Sequence, residues 1–92
     1  MEIVWSETAL EIFFKVIDYL VDNWTDKEME AFETNVDTLI ENLTSFNQIC
    51  SESKLFGYRK CVIDKQNSLV YHIENNILYL VTFIDNRGNH SY

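Results

Sequence analysis

The apolar residues of this 92-residue chain keep a helical period up to about residue 45 and an extended pattern from about residue 57. The charge changes sign across the same divide. Residues 1–53 hold Lys15 and Lys27 against twelve carboxylates, a balance of −10. Residues 54–92 hold Lys54, Arg59, Lys60, Lys65 and Arg87 against Asp64, Glu74 and Asp85, a balance of +2, and the two together give the chain's −8. A chain patterned in this way makes its helices first and most of its sheet afterwards, which is an α+β order. Halves of opposite charge usually face different partners, so chemistry is sought on the sheet, where the few cations lie.

Glu2-Ile3-Val4-Trp5 alternates and is rich in β-formers, and it reads as a first strand. Ser6 is a natural N-cap, with Glu7 in the first turn where the helix dipole favours an anion. Ala9, Ile12, Phe13, Val16, Ile17, Leu20 and Trp24 then recur at helical spacing opposite Glu11, Lys15, Asp18 and Asp22, predicting an amphipathic helix that ends near Asn23. Thr25-Asp26-Lys27-Glu28 has the pattern of a capping box. The second helix carries Met29, Phe32, Val36, Leu39, Ile40 and Leu43 on one stripe. So short a connection makes the two helices an antiparallel hairpin.

Residues 45–53 lose periodicity and are expected to form a loop. Extended runs follow at residues 57–63, 68–73 and 77–84, the last apolar on both faces as in a central strand. Glu74-Asn75-Asn76 reads as a tight hairpin, because Asn tolerates the left-handed conformation. Residues 85–92 are a polar tail. The expected fold is one α+β domain over residues 1–92, in the order β-α-α-β-β-β. Its helix hairpin covers one face of a four-stranded, mainly antiparallel sheet, and the other face is half open.

Composition narrows the function. The apolar fraction is 47%, with thirteen aromatics, no proline and two glycines, which implies regular elements joined by short turns. A chain of this length buries only roughly 60–65% of its unfolded surface, so its core is modest. No apolar stretch approaches the roughly 20 residues of a membrane span. Charges interrupt residues 9–24 and exclude a signal-peptide core, so a cytoplasmic protein is expected. In that setting Cys50 and Cys61 are expected as reduced, semi-buried thiols rather than a disulfide. The net charge of −8 opposes broad affinity for nucleic acid, and any such role must rest on a local patch.

His72 and His90 stand at ligand spacing from neither a cysteine nor each other, so no metal or other cofactor is expected. The carboxylates of residues 7–41 are what the solvated faces of two helices look like. What remains is Arg59, Lys60, Arg87, His90 and Tyr92. Cleavage of RNA through its 2′-hydroxyl needs a base, an acid and cations that stabilise the phosphate, and these residue types supply all three without a metal. On composition alone the plainer reading prevails: Arg59 and Lys60 are edge-strand charges that prevent aggregation, and the tail is frayed.

Several strings shift that balance. Ile3-Val4-Trp5-Ser6-Glu7-Thr8-Ala9, Ile17-Asp18-Tyr19-Leu20, Tyr58-Arg59-Lys60, Ser68-Leu69-Val70-Tyr71-His72-Ile73 and Ile84-Asp85-Asn86-Arg87-Gly88-Asn89 occur in one order along nearly the whole chain. In this the sequence resembles the RelE/ParE superfamily of toxins from type II toxin–antitoxin modules. The resemblance implies a toxin neutralised by a cognate antitoxin, with which it would form a hetero-oligomer. It further implies a metal-independent endoribonuclease, an mRNA interferase that cleaves messages on the ribosome. Arg59 and Lys60 would contact phosphate, Arg87 would stabilise the transition state, and Tyr92 or His90 would transfer the proton. Two alternatives accompany it: a ParE-like DNA gyrase poison that binds without catalysis, or an inactive remnant that still binds antitoxin.

Overall fold

Ser6 joins the first strand to the first helix in a single residue. Its hydroxyl accepts a 2.9 Å hydrogen bond from the Ala9 N–H and donates at 2.6 Å to the Val81 carbonyl, while its own N–H donates to the Leu80 carbonyl at 2.9 Å. One side chain therefore caps the helix and ties it to a strand 75 residues away. In the computed structural model, which describes residues 1–88 and 92, the elements are β1 (Glu2–Trp5), α1 (Glu7–Asn23), α2 (Asp26–Ser45), β2 (Ser51–Glu52), β3 (Arg59–Val62), β4 (Asn67–Glu74) and β5 (Ile77–Asp85). Helix α2 begins as expected, with the Glu28 carboxylate accepting from the backbone N–H of Thr25 at 3.2 Å and also from its hydroxyl.

The sheet has five strands in the order β1-β5-β4-β3-β2, rather than the four expected. The extra strand is β2, two residues long, inside a stretch read from the sequence as loop. It pairs antiparallel with β3, Ser51 opposite Lys60 and Glu52 opposite Arg59. The helix also runs through Ser45, one residue into that stretch. Strand β1 lies parallel to β5, and every other pairing is antiparallel. The β4–β5 hairpin turns at Asn75 and Asn76, with φ of 52° and 62°, the left-handed values that a two-residue turn demands and that Asn accepts.

The hairpin of helices covers one face of this sheet. Ala9, Phe32, Val36, Ile40 and Leu43 from the helices meet Cys61, Leu69, Tyr71, Leu78, Leu80 and Phe83 from the strands, all buried. Trp5, Phe13, Phe32 and Phe83 form an aromatic cluster at one end, with the Phe13 and Phe32 rings stacked at 5.7 Å. Just beyond the C-terminal end of β5, Asn86 is an internal brace. Its N–H donates to the Gln66 carbonyl at 2.8 Å, its amide donates to the Asp64 carbonyl at 3.1 Å, and its side-chain oxygen accepts from the buried Ser68 hydroxyl at 2.5 Å.

Cys50 and Cys61 correct a further expectation. They are joined as a disulfide with Cα atoms 5.2 Å apart, not held as separate thiols. The bond ties the approach to β2 onto β3, and it closes a loop across 11 positions of sequence. A two-residue strand has too few ladder hydrogen bonds to fix this segment alone, and the covalent link supplies what the ladder lacks.

Candidate functional site

Alternation along β3 decides where its cations go. Cys61 pairs with Leu69 and lies in the core, so Arg59, two residues earlier and opposite Tyr71, also points to the helix side. Lys60, between them and opposite Val70, points to the other face. The two residues expected to share one phosphate are therefore divided by the sheet itself. Arg59 is already engaged, donating from Nη1 to the Cys50 carbonyl at 2.7 Å and lying 3.8 Å from the Glu52 carboxylate. Beside it, burial pushes the Tyr71 hydroxyl above its ordinary value, and the nearby Arg59 guanidinium offsets part of that rise. Tyr71 donates to the Asn47 carbonyl at 2.7 Å, which pins the end of α2 to β4.

Arg87 lies elsewhere. It follows β5 and folds back on Asp85, donating from Nε at 3.1 Å and from Nη2 at 3.0 Å to the two carboxylate oxygens. These hydrogen bonds hold the Asp85 carboxyl at about 2, well below its usual 3.8. Along β4, Asn67 is the partner of Asp85 and Tyr71 the partner of Arg59, a separation of about 13 Å at strand rise. Arg87 also lines a surface cleft with Ile12, Lys15 and Tyr19 of α1, at a distance from the β2–β3 edge.

Tyr92 is nearer the β3 cations. Its carbonyl accepts from the Lys54 N–H at 3.3 Å, so it sits at the loop between β2 and β3. His90 lies outside the described residues. Of the expected set, Arg59, Lys60 and Tyr92 thus share the β2–β3 edge, with Arg59 and Lys60 on opposite faces, and Arg87 stands apart.

Other side chains define this edge more sharply. On the open face Tyr58, His72 and Tyr79 form a row across three strands' width: His72 stacks on Tyr79 at 4.8 Å and meets Tyr58 at 5.3 Å. The pairing of Val70 with Lys60 sets the lysine beside this row. The neighbouring loop carries Lys54, Leu55 and a fully exposed Phe56, turning at Gly57 with φ of 89°. It encloses a cavity of about 380 Å³ bounded by residues 52–59. This edge offers a large apolar side chain, a basic residue and a row of rings, which suits docking against another macromolecule. Phe56 and Tyr79 were not singled out in the sequence, and His72 was weighed there as a metal ligand, not as part of a row of rings. Strand alternation would have placed the rings on one face, but nothing local marks Phe56 as exposed.

A family model of the ParE toxin of type II toxin–antitoxin systems, parDE, matches residues 3–89. Among solved structures, the fold is similar to a YoeB/ParE toxin from Agrobacterium tumefaciens, with a TM-score of 0.70 and 15% identity over 94% of this chain and 99% of that one. It is similar to a chain of the chromosomal ParDE system of P. aeruginosa, with a TM-score of 0.68 and 13% identity over 92% and 95% of the two chains. It is also similar to a chain of the heterotetrameric YoeB–YefM toxin–antitoxin complex from Staphylococcus aureus, with a TM-score of 0.65 and 19% identity over 96% and 98%. No curated protein matches the sequence. With 87 of its 92 positions inside the family match, the chain belongs to the ParE toxin family of type II toxin–antitoxin systems.

Proposed function

We propose that this toxin poisons its target by binding it, as a non-enzymatic inhibitor of DNA gyrase held in check by a cognate antitoxin. The observation that carries the reading is the division of the cations. Arg59 and Lys60 leave opposite faces of β3, and Arg87 is closed on Asp85 about 13 Å away along the sheet. Phosphate cleavage without a metal needs several cations converging on one group. A docking surface needs only an exposed anchor and a complementary rim, and the β2–β3 loop with Phe56 and Lys54 supplies that. The net charge of −8 weighs the same way, since it opposes docking on ribosomal RNA.

The endoribonuclease reading keeps one observation in its favour: Tyr92 sits beside the loop leading to Arg59 and Lys60, where a proton-transfer group would be wanted. Inducible expression separates the readings. Under the binding mechanism, Arg87→Ala and Tyr92→Phe still arrest growth, Phe56→Ala does not, and purified gyrase accumulates cleaved DNA. Early arrest of translation with new mRNA ends, abolished by Arg87→Ala, would establish the nuclease instead. Absence of any growth arrest from the wild type would leave an inactive, antitoxin-binding remnant.

A further inference from the structure

Helix α1 has a second apolar stripe, of which only Ile17 packs against the core. Leu10, Phe14, Ile17, Val21 and the C-cap Trp24 fall at i, i+4, i+7, i+11 and i+14, about 100° round the helix from the core stripe of Ala9, Phe13, Val16 and Leu20. Leu10, Phe14, Val21 and Trp24 are 42%, 55%, 53% and 52% exposed, too much apolar surface in one line to be the scattered exposure of an ordinary surface. Phe14 is held in position by edge-on packing against Phe13, with ring centroids 5.8 Å apart. At its C-terminal end the stripe leads into a groove of about 320 Å³ whose lining includes the apolar Leu20, Trp24 and Phe32 and the charged Glu28, Asp64 and Lys65, a net negative set.

The charges beside the stripe identify its occupant. Glu7, Glu11, Asp18 and Asp22 line its solvent side, and neither of the two ion pairs among the described residues involves them. A second copy of the chain would set this acidic rim against itself. We infer that the outer face of α1 is the docking surface for an amphipathic helix whose apolar stripe is bordered by lysine and arginine. On the reading of this chain as an antitoxin-held toxin, on which the assignment of the partner rests, the antitoxin supplies that helix. The stripe runs about 21 Å, so the partner helix is of four turns or more. Its apolar residues lie against Phe14 and Val21, one enters the groove beside Trp24, and its cations meet the carboxylate rim. The surface is on the helix layer, away from the β2–β3 edge, so neutralisation need not cover that edge.

The test is a titration of the isotopically labelled full chain, followed by NMR, with two synthetic helices of about 18 residues that share one leucine stripe. One is flanked by Lys and Arg and its twin by Glu. The basic helix is expected to bind, moving the resonances of Leu10, Phe14, Val21 and the Trp24 indole, and the acidic twin to bind at least about tenfold more weakly. Phe14→Ala with Val21→Ala, both at exposed positions, is expected to weaken the basic helix by about tenfold while leaving the circular dichroism unchanged. Equal binding of the twins, shifts confined to the sheet face, an unaffected double variant, or self-association through the stripe would each overturn the inference. Growth arrest depends on the β2–β3 edge and this titration on α1, so either can fail without the other.

Discussion

Asp85 and Arg87 form a closed pair whose effect is measurable at a single carboxyl group. Because the folded value is depressed to about 2 from 3.8, the pair contributes stability above the ordinary carboxylate range and loses it as pH falls from 3.8 through 2. Carboxyl NMR across that window should place Asp85 near 2 in the wild type and back near 3.8 in Arg87→Ala. In the core, Leu80 is completely buried on β5, an interior strand of the sheet, and Leu80→Ala should cost about 3 kcal/mol in urea unfolding. The side chains show how far the sequence could be read. Adjacent strand residues face opposite ways, so the separation of Arg59 from Lys60 was available from strand period alone. The Asp85–Arg87 closure likewise involves neighbours in the sequence. What local pattern did not contain was the attachment of Arg59 to the Cys50 carbonyl, because that contact depends on how an irregular segment returns to the sheet.

At the scale of elements, both helices and four of the five strands were legible. The helices were marked by apolar period and by the caps at Ser6 and Thr25, and the strands by alternation and by the Asn75-Asn76 turn. Strand β2 was not legible, since two residues cannot display a period. Its partner in stability, the Cys50–Cys61 link, was hidden for a related reason: an 11-residue separation says nothing of distance until β3 is placed in register. Closing a loop of this size stabilises by about 2–3 kcal/mol. Denaturant unfolding with and without a thiol reductant should show a loss of that size, with helical circular dichroism retained below the transition. Hydrogen exchange should quicken first at Ser53 and at the β3 amides. If reduction leaves both stability and exchange unchanged, β2 is held by its hydrogen bonds alone.

For the whole molecule, the electrostatic asymmetry has become a division of labour between layers. The helix layer carries ten of the fifteen carboxylates and an apolar line with an acidic rim. The sheet and its loops carry five of the seven cations and the proposed docking edge. Uncompensated carboxylates on α1 and α2 repel one another across exposed surfaces where salt screens well. The melting temperature should therefore rise by on the order of a few degrees between about 10 mM and 150 mM salt. A flat or falling profile would mean that the acidic layer is compensated within the fold.

The place of β5 has a bearing on synthesis. This strand lies second in the sheet, between β1 and β4, and among the described residues it is the only partner of β1 and the last of the seven elements to be made. A ribosome releases β1 and both helices first, and β1 has no strand to pair with among the described residues until residues 77–85 have emerged. Every premature stop before Ile77 removes the strand on which both ends of the topology converge. Such a chain lacks the strand that joins β1 to β4, so its fragments are expected not to complete the sheet and to be harmless to the cell that makes them. The sheet is therefore completed only when its last strand is in place.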